Sequence, residues 1–174
     1  VVNAANELYA EAIAAYGARL SRLARGYEAD PDRRRDLLQE IHIGLWRSLS
    51  SFEGRCSLQT WVYRVAHNVA ASHIVRSRRA QSRLVELDTL EEEPCPVDGQ
   101  AHADRRHAAA RLLEMVHRLK PLDRQIILLY LEGEQAAAIA EVMGLSAVNI
   151  ATKIHRIKKL LGRQFQEGDE YAGR

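Results

Sequence analysis

Apolar residues recur along this chain at spacings of three and four, so the pattern predicts helices and no convincing strand. In residues 4–26, Leu8, Ile13, Tyr16, Leu20 and Leu23 supply one apolar side. Asp30-Pro31 follows, an N-cap with proline at the first helical position. It opens a second helix to about Leu49, with Leu37, Leu38, Ile41, Leu45 and Trp46 directed inward. The polar, glycine-containing stretch SSFEGR breaks that helix, and Ser57 is placed to cap a third through about Arg79. Leu58, Trp61, Val62, Val65 and Val69 are its packing residues.

Periodicity fails over residues 84–100, LVELDTLEEEPCPVDGQ, where two prolines, a glycine and an acidic run mark a linker. It resumes at about Ala101–Leu119, and Pro121 starts a further helix to about Leu131. Glu132-Gly133 ends that helix. The stretch Gln135–Leu161, QAAAIAEVMGLSAVNIATKIHRIKKLL, then reads as helix, glycine turn, helix. Small Ala140 lets two helices cross steeply, and Gly144 supplies the positive φ of the corner. Ser146 caps the second helix, and Ile150 packs back on the first. Ile150, Ile154, Ile157 and Leu161 form one buried stripe. The tail after Phe165, QEGDEYAGR, is expected to fray. The expected architecture is all-α, with two helical domains joined by a flexible acidic linker, the C-terminal one a helix-turn-helix. The divisions fall at 1–83, 84–104 and 105–167, with a tail at 168–174.

Charge sharpens this division. The formal net charge of +2 conceals a net +5 over residues 1–85, −7 over 86–104 and +4 over 105–174. Two basic bodies flanking an acidic connector suit a nucleic-acid binder that looks neutral on average. An ordinary solvated surface with an acidic loop would show the same charges. Cys56 and Cys95 form neither a CxxC pair nor a disulfide framework. The seven histidines show no metal-ligand spacing, and no glycine-rich phosphate loop or GxSxG occurs, so neither an enzyme nor a bound metal or other cofactor is expected. With no apolar run near the ~18 residues of a membrane span, a cytoplasmic location is expected.

The candidate chemistry is recognition of DNA. In the last long helix Asn149, Thr152, Lys153 and Arg156 lie off the apolar stripe. Asparagine bonds adenine edges, and lysine or arginine bonds guanine edges or phosphates. His155, Lys158 and Lys159 add charge directed at the backbone. The third helix ends in IVRSRRAQSR, whose Arg76, Arg78, Arg79 and Arg83 form a phosphate-binding run or, equally, a basic C-terminus favoured by the helix dipole. Phe52, Trp61 and Tyr63 are interleaved with Arg55 and Arg64, a mixture suited to single-stranded DNA, although a tryptophan on a helix is more often core. Asp36, Gln39 and Glu40 make an acidic start to the exposed side of the second helix, either a dipole effect or a docking face.

Residues 36–79, DLLQEIHIGLWRSLSSFEGRCSLQTWVYRVAHNVAASHIVRSRR, resemble the N-terminal domain of extracytoplasmic-function (ECF) RNA polymerase sigma factors of the sigma-70 family. Residues 119–161, LKPLDRQIILLYLEGEQAAAIAEVMGLSAVNIATKIHRIKKLL, resemble their C-terminal helix-turn-helix domain. The resemblance implies a bacterial factor that binds core RNA polymerase through the β′ clamp coiled coil and the β flap. It also implies promoter DNA and an anti-sigma factor as partners. By resemblance, Asp36, Gln39, Glu40 and Trp46 match the polymerase-binding segment. Phe52, Arg55, Trp61, Arg64 and Asn68 match the part that captures a flipped base of the −10 element, and Arg76, Arg78 and Arg79 match its basic end. Asn149, Thr152, Lys153, Arg156 and Lys159 match the helix that reads the −35 element. Some places depart from the family pattern, among them Lys153-Ile154-His155-Arg156, which keeps basic character where arginines are commoner. His42 stands where a large apolar residue is usual, and Glu134-Gln135-Ala136-Ala137-Ala138 replaces the usual polar lead-in to the helix-turn-helix. The competing reading is a stand-alone helix-turn-helix regulator with an N-terminal dimerisation or sensing bundle.

Overall fold

A computed structural model describes the backbone of residues 2–84 and 100–172, and side chains within 5–77 and 107–166. Among the described residues seven helices occur in order: α1 (Val2–Tyr27), α2 (Pro31–Leu49), α3 (Leu58–Leu84), α4 (Gln100–Arg118), α5 (Pro121–Leu131), α6 (Ala136–Met143) and α7 (Ala147–Ala172). No strand occurs among the described residues. Helix α3 runs on to Leu84, and α4 starts at Gln100, within the acidic stretch. The run Glu91–Glu93 and Cys95 lie outside the described residues. Helix α7 continues to Ala172, past the point where fraying was expected. The helix is held at Phe165, where the Arg111 guanidinium lies 4.5 Å over the ring and donates to the Phe165 carbonyl at 2.6 Å.

Local chemistry starts and stops these helices. Asp30 caps α2, its carboxylate accepting from the backbone N–H of Asp32 at 2.9 Å and Arg33 at 2.8 Å. The Arg33 bond, then the Asp32 bond and nearby arginines, hold the Asp30 carboxyl below the usual carboxylate range. Ser57 caps α3, its Oγ accepting from the Thr60 N–H at 3.1 Å. Gly144 is left-handed at φ 67°, and its N–H and that of Leu145 both return to the Ala140 carbonyl. The chain turns there so that α6 and α7 meet at 108°, within the ~90–120° of a helix-turn-helix. Ser146 accepts from the Asn149 N–H at 3.3 Å, as its position suggested.

Leu37, Ile41, Leu45 and Leu49 bury one stripe of α2 against α1 and α3. Trp46 was expected to join them, but it is 52% exposed. It sits five residues after Ile41, about 140° round the helix from that residue, and its indole N–H reaches Asn6 Oδ1 at 3.1 Å. In the C-terminal lobe Ile150, Ile154, Ile157 and Leu161 are all buried against α5 and α6. Each such side chain contributes roughly 1.5–3 kcal/mol.

The two lobes share one core. Tyr27 at the end of α1 is buried, with the Arg124 guanidinium of α5 6.0 Å over its ring. Gly26 meets Leu128 so closely that a Cβ there would lie 2.3 Å from Leu128 Cδ2. Tyr27 also bonds His67 Nδ1 at 2.8 Å. Burial raises the Tyr27 phenol well above its usual range, so the hydroxyl stays protonated.

Candidate nucleic-acid and polymerase interface

Helix α2 presents Asp36, Gln39 and Trp46 to solvent, with Glu40 half-buried beside them. Glu40 is ion-paired with Arg76 of α3 and has His73 Nδ1 at 3.5 Å. The exposed indole beside three polar groups makes a face that can meet a partner through one aromatic anchor. Behind it, the Tyr9 hydroxyl bonds His42 Nδ1 at 2.8 Å, and burial holds His42 below its usual pKa. The neutral ring therefore packs where the family pattern has an apolar residue.

The loop from α2 to α3 and the start of α3 form a small cleft of ≈ 180 Å³, lined by Phe52, Arg55, Cys56 and Trp61 with Ser51 and Glu53. Phe52 and Trp61 meet edge to face at 5.4 Å between centroids, and the Trp61 indole N–H bonds Ser48 Oγ at 3.1 Å. Trp61 is thus fixed along one edge and half-exposed on the other. Arg55 is exposed and paired with Glu53 at 2.5 Å. Arg64 and Asn68, one turn apart, are exposed on the same side of α3. Tyr63, expected among the stacking aromatics, is fully buried instead. It falls on the inward stripe with Val62, Ala66 and His67, so only Phe52 and Trp61 remain available to a base. Arg76 is exposed although tied to Glu40, whereas the side chains of Arg78 and Arg79 lie outside the described residues.

On α7, Asn149, Thr152, Arg156 and Lys159 are exposed and Lys153 is half-buried. Sequence reasoning missed Asp123, which sits in the first turn of α5 and gathers two of these cations. Its carboxylate takes the Arg156 guanidinium at 2.7 Å and has Lys153 Nζ at 3.8 Å. A groove of ≈ 590 Å³ between the α5–α6 turn and α7 includes Tyr130, Leu131 and Ile154, with Lys158 at its edge.

Sequence reasoning also missed a set of polar contacts between the lobes. Arg22 forms a two-pronged ion pair with Glu132, Nε at 2.8 Å and Nη2 at 2.7 Å. Arg19 bonds Glu134 at 3.0 Å, and the Gln59 amide donates to the same carboxylate at 2.6 Å. The Thr60 hydroxyl reaches the Glu141 carboxylate at 3.3 Å, and Arg64 donates to the Glu141 carbonyl at 2.6 Å. The acidic partners surround the unusual lead-in to α6. That departure was visible in the sequence, although its partners, 75 to 115 residues away, were not.

An all-helical pair of lobes, one exposing the polar side of a helix-turn-helix and the other an aromatic cleft beside an exposed tryptophan, fits a two-part DNA-binding protein. Comparison with known proteins agrees. Sigma-70 region 2 matches residues 12–80, and sigma-70 region 4 matches residues 109–161. The chain is 28% identical over 142 residues to the ECF RNA polymerase sigma-E factor of Haemophilus influenzae, covering 75% of this chain and 74% of that one. It is 27% identical over 143 residues to the ECF RNA polymerase sigma factor SigX of Bacillus subtilis, covering 79% and 73%. The fold is similar to that of CnrH in complex with the cytosolic domain of CnrY, with a TM-score of 0.65 at 17% identity over 95% of this chain and 97% of that one. It is also similar to sigma factor RpoE bound to the anti-sigma factor NepR from Bartonella quintana, with a TM-score of 0.67 at 17% identity over 91% and 96%. The chain belongs to the ECF group of the sigma-70 family, and it is a sigma factor that binds core RNA polymerase and directs promoter-specific transcription initiation. A stand-alone regulator would have no use for sigma-70 region 2, which occupies residues 12–80.

Proposed function

We propose that the two lobes divide promoter recognition between them. The observation that carries this reading is helix α7, set at 108° to α6 with its isoleucine stripe buried and Asn149, Thr152, Arg156 and Lys159 exposed. Such a helix fits the major groove, and these residue types read base edges and phosphates of the −35 element, with Lys153. Residues 105–167 form that lobe, with a tail at 168–174. Residues 1–83 form the other, and 84–104 link them.

In the N-terminal lobe Asp36, Gln39, Glu40 and Trp46 dock on the β′ clamp coiled coil. Phe52, Arg55 and Trp61 receive a base of the −10 element, while Arg64, Asn68 and the basic end Arg76, Arg78 and Arg79 hold its strand. No bond-making chemistry is required of this chain. A base stacked in the cleft offsets the few kcal/mol lost from the duplex. The groove beside Tyr130 and Leu131 suits the β flap. The place of action is the cytoplasm, where polymerase and chromosome are. An anti-sigma factor is a further partner, supported by the fold similarity to RpoE in its complex with NepR.

Reconstitution with core polymerase on a promoter library tests the reading. The expected result is initiation from promoters sharing −10 and −35 consensus sequences, reduced at least tenfold by Trp46→Ala through weaker core binding. Tight duplex binding as a dimer, without polymerase association, would overturn it.

A further inference from the structure

We propose that Val148, with Thr152 one turn on, reads the 5-methyl group of a thymine in the −35 element, which makes Val148 a specificity residue of α7. This role rests on the −35 assignment of α7 given above. Val148 is 77% exposed, more than any other large apolar side chain among the described residues. It is the second residue of α7, at the end of a recognition helix that reaches base edges. Helix phase aims it outward. Ile150, Ile154, Ile157 and Leu161 turn the opposite side of α7 into the core. At ~100° per residue, Val148 lies about 150° and Thr152 about 170° round the helix from the middle of that stripe. Both therefore face away from the C-terminal lobe, on the side that Lys159 and Arg156 also share.

The chemistry at that end of the helix selects the base. Ala147, Val148, Asn149, Ala151 and Thr152 are exposed and none carries a charge, and the cations of α7 begin only at Lys153. The Thr152 hydroxyl donates to the Val148 carbonyl at 2.9 Å, so its proton is engaged within the helix. What the first turns of α7 offer a groove is the two methyls of Val148, the Thr152 methyl and the Asn149 amide. Among the four bases only thymine carries a methyl group in the major groove, and apolar side chains meet it there. The edges of a G·C pair present polar groups instead, and a valine pressed against them would remove their water without supplying a partner. The fold itself does not need this side chain. At 77% exposure its truncation leaves no cavity, and alanine is the better helix former. Val148→Ala therefore alters the groove face while leaving the lobe intact.

Holoenzyme assembled from the full chain and core polymerase tests this role, in binding to duplexes that carry the −35 sequence selected from the promoter library. Each thymine of the element is replaced in turn by uracil, which lacks only the 5-methyl group. One replacement is expected to weaken binding roughly four-fold, the value of one buried methyl group. Val148→Ala should weaken binding to the thymine duplex by a similar factor and abolish the distinction between thymine and uracil, whereas Val148→Ile should keep it. A −35 element in which no uracil replacement matters overturns the proposal, and so does a uracil penalty that persists at full size in Val148→Ala. Arg156→Ala separates the two readings. If it weakens −35 binding while every uracil is silent, α7 still reads the element and only the assignment to Val148 fails. If neither Arg156→Ala nor Val148→Ala changes discrimination between the selected and a scrambled −35 element, the −35 role of α7 fails, and that of Val148 with it.

Discussion

His67 and Asp123 show what single side chains contribute. His67 is fully buried, and burial lowers its pKa to about 3. Its Nδ1 is bonded to the Tyr27 hydroxyl, and its Nε2 is buried without a hydrogen-bond partner among the described residues. The unfolded chain takes up a proton at this ring near pH 6.5, and the folded chain does so only near 3. Stability at this site is therefore fully present above about pH 6.5. It is lost as pH falls, by about 1.4 kcal/mol per unit below 6.5. Urea unfolding at pH 7 and pH 5 should differ by roughly 2 kcal/mol from this ring, with smaller contributions of the same sign from His42 and His117. His67→Gln should remove that share of the slope. Asp123 acts through other residues by holding Arg156 and Lys153 in one place. Asp123→Asn is expected to cost about 1 kcal/mol of discrimination at one −35 position, without weakening binding to unrelated duplex, since a negative charge is removed. Competition titrations against single-base −35 variants would show it; equal loss on all sequences would assign Asp123 to folding instead.

At the scale of the element, the helix-turn-helix was legible in the sequence because its requirements are local. The corner needs a positive φ, Gly144 provides it, and Ile150 lies six residues on to pack back. No atom stands within 4 Å of a Cβ built on Gly144, so Gly144→Ala pays only the left-handed backbone penalty, about 1 kcal/mol. Denaturant midpoints would measure that loss, and −35 binding by the folded fraction should be unchanged. The helices of the N-terminal lobe were legible for the same reason, because Asp30-Pro31 and Ser57 are caps that act within three residues. Errors arose where a helix offers more apolar residues than one face can bury. Trp46 and Tyr63 are both large aromatics near a buried stripe, and each was assigned to the wrong side. Hydropathy lists the candidates for burial, but the phase of the helix against its neighbours selects among them.

For the molecule as a whole, the contact between the lobes is set by tight packing as well as by ion pairs. Gly26 lies at their contact, and a methyl group there would press into Leu128. Gly26→Ala should therefore force α1 and α5 apart, costing about 1–3 kcal/mol against the ~1 kcal/mol gained in helix propensity. Small-angle scattering and urea unfolding together would register a looser, less stable molecule with the Arg19–Glu134 and Arg22–Glu132 pairs in place. By itself the sequence determined the all-helical class, the helix starts, the stripe of α7 and the family membership. Each depends on periodicity or on residues close together in the chain. Only the tertiary structure decided that Tyr63 is core, that Trp46 is exposed, that Asp123 anchors Arg156, and that Glu134 meets Arg19 across 115 residues of sequence. Those outcomes depend on which faces meet when helices pack. Burial and ion pairing at such contacts depend on distance in space, which one-dimensional spacing does not encode.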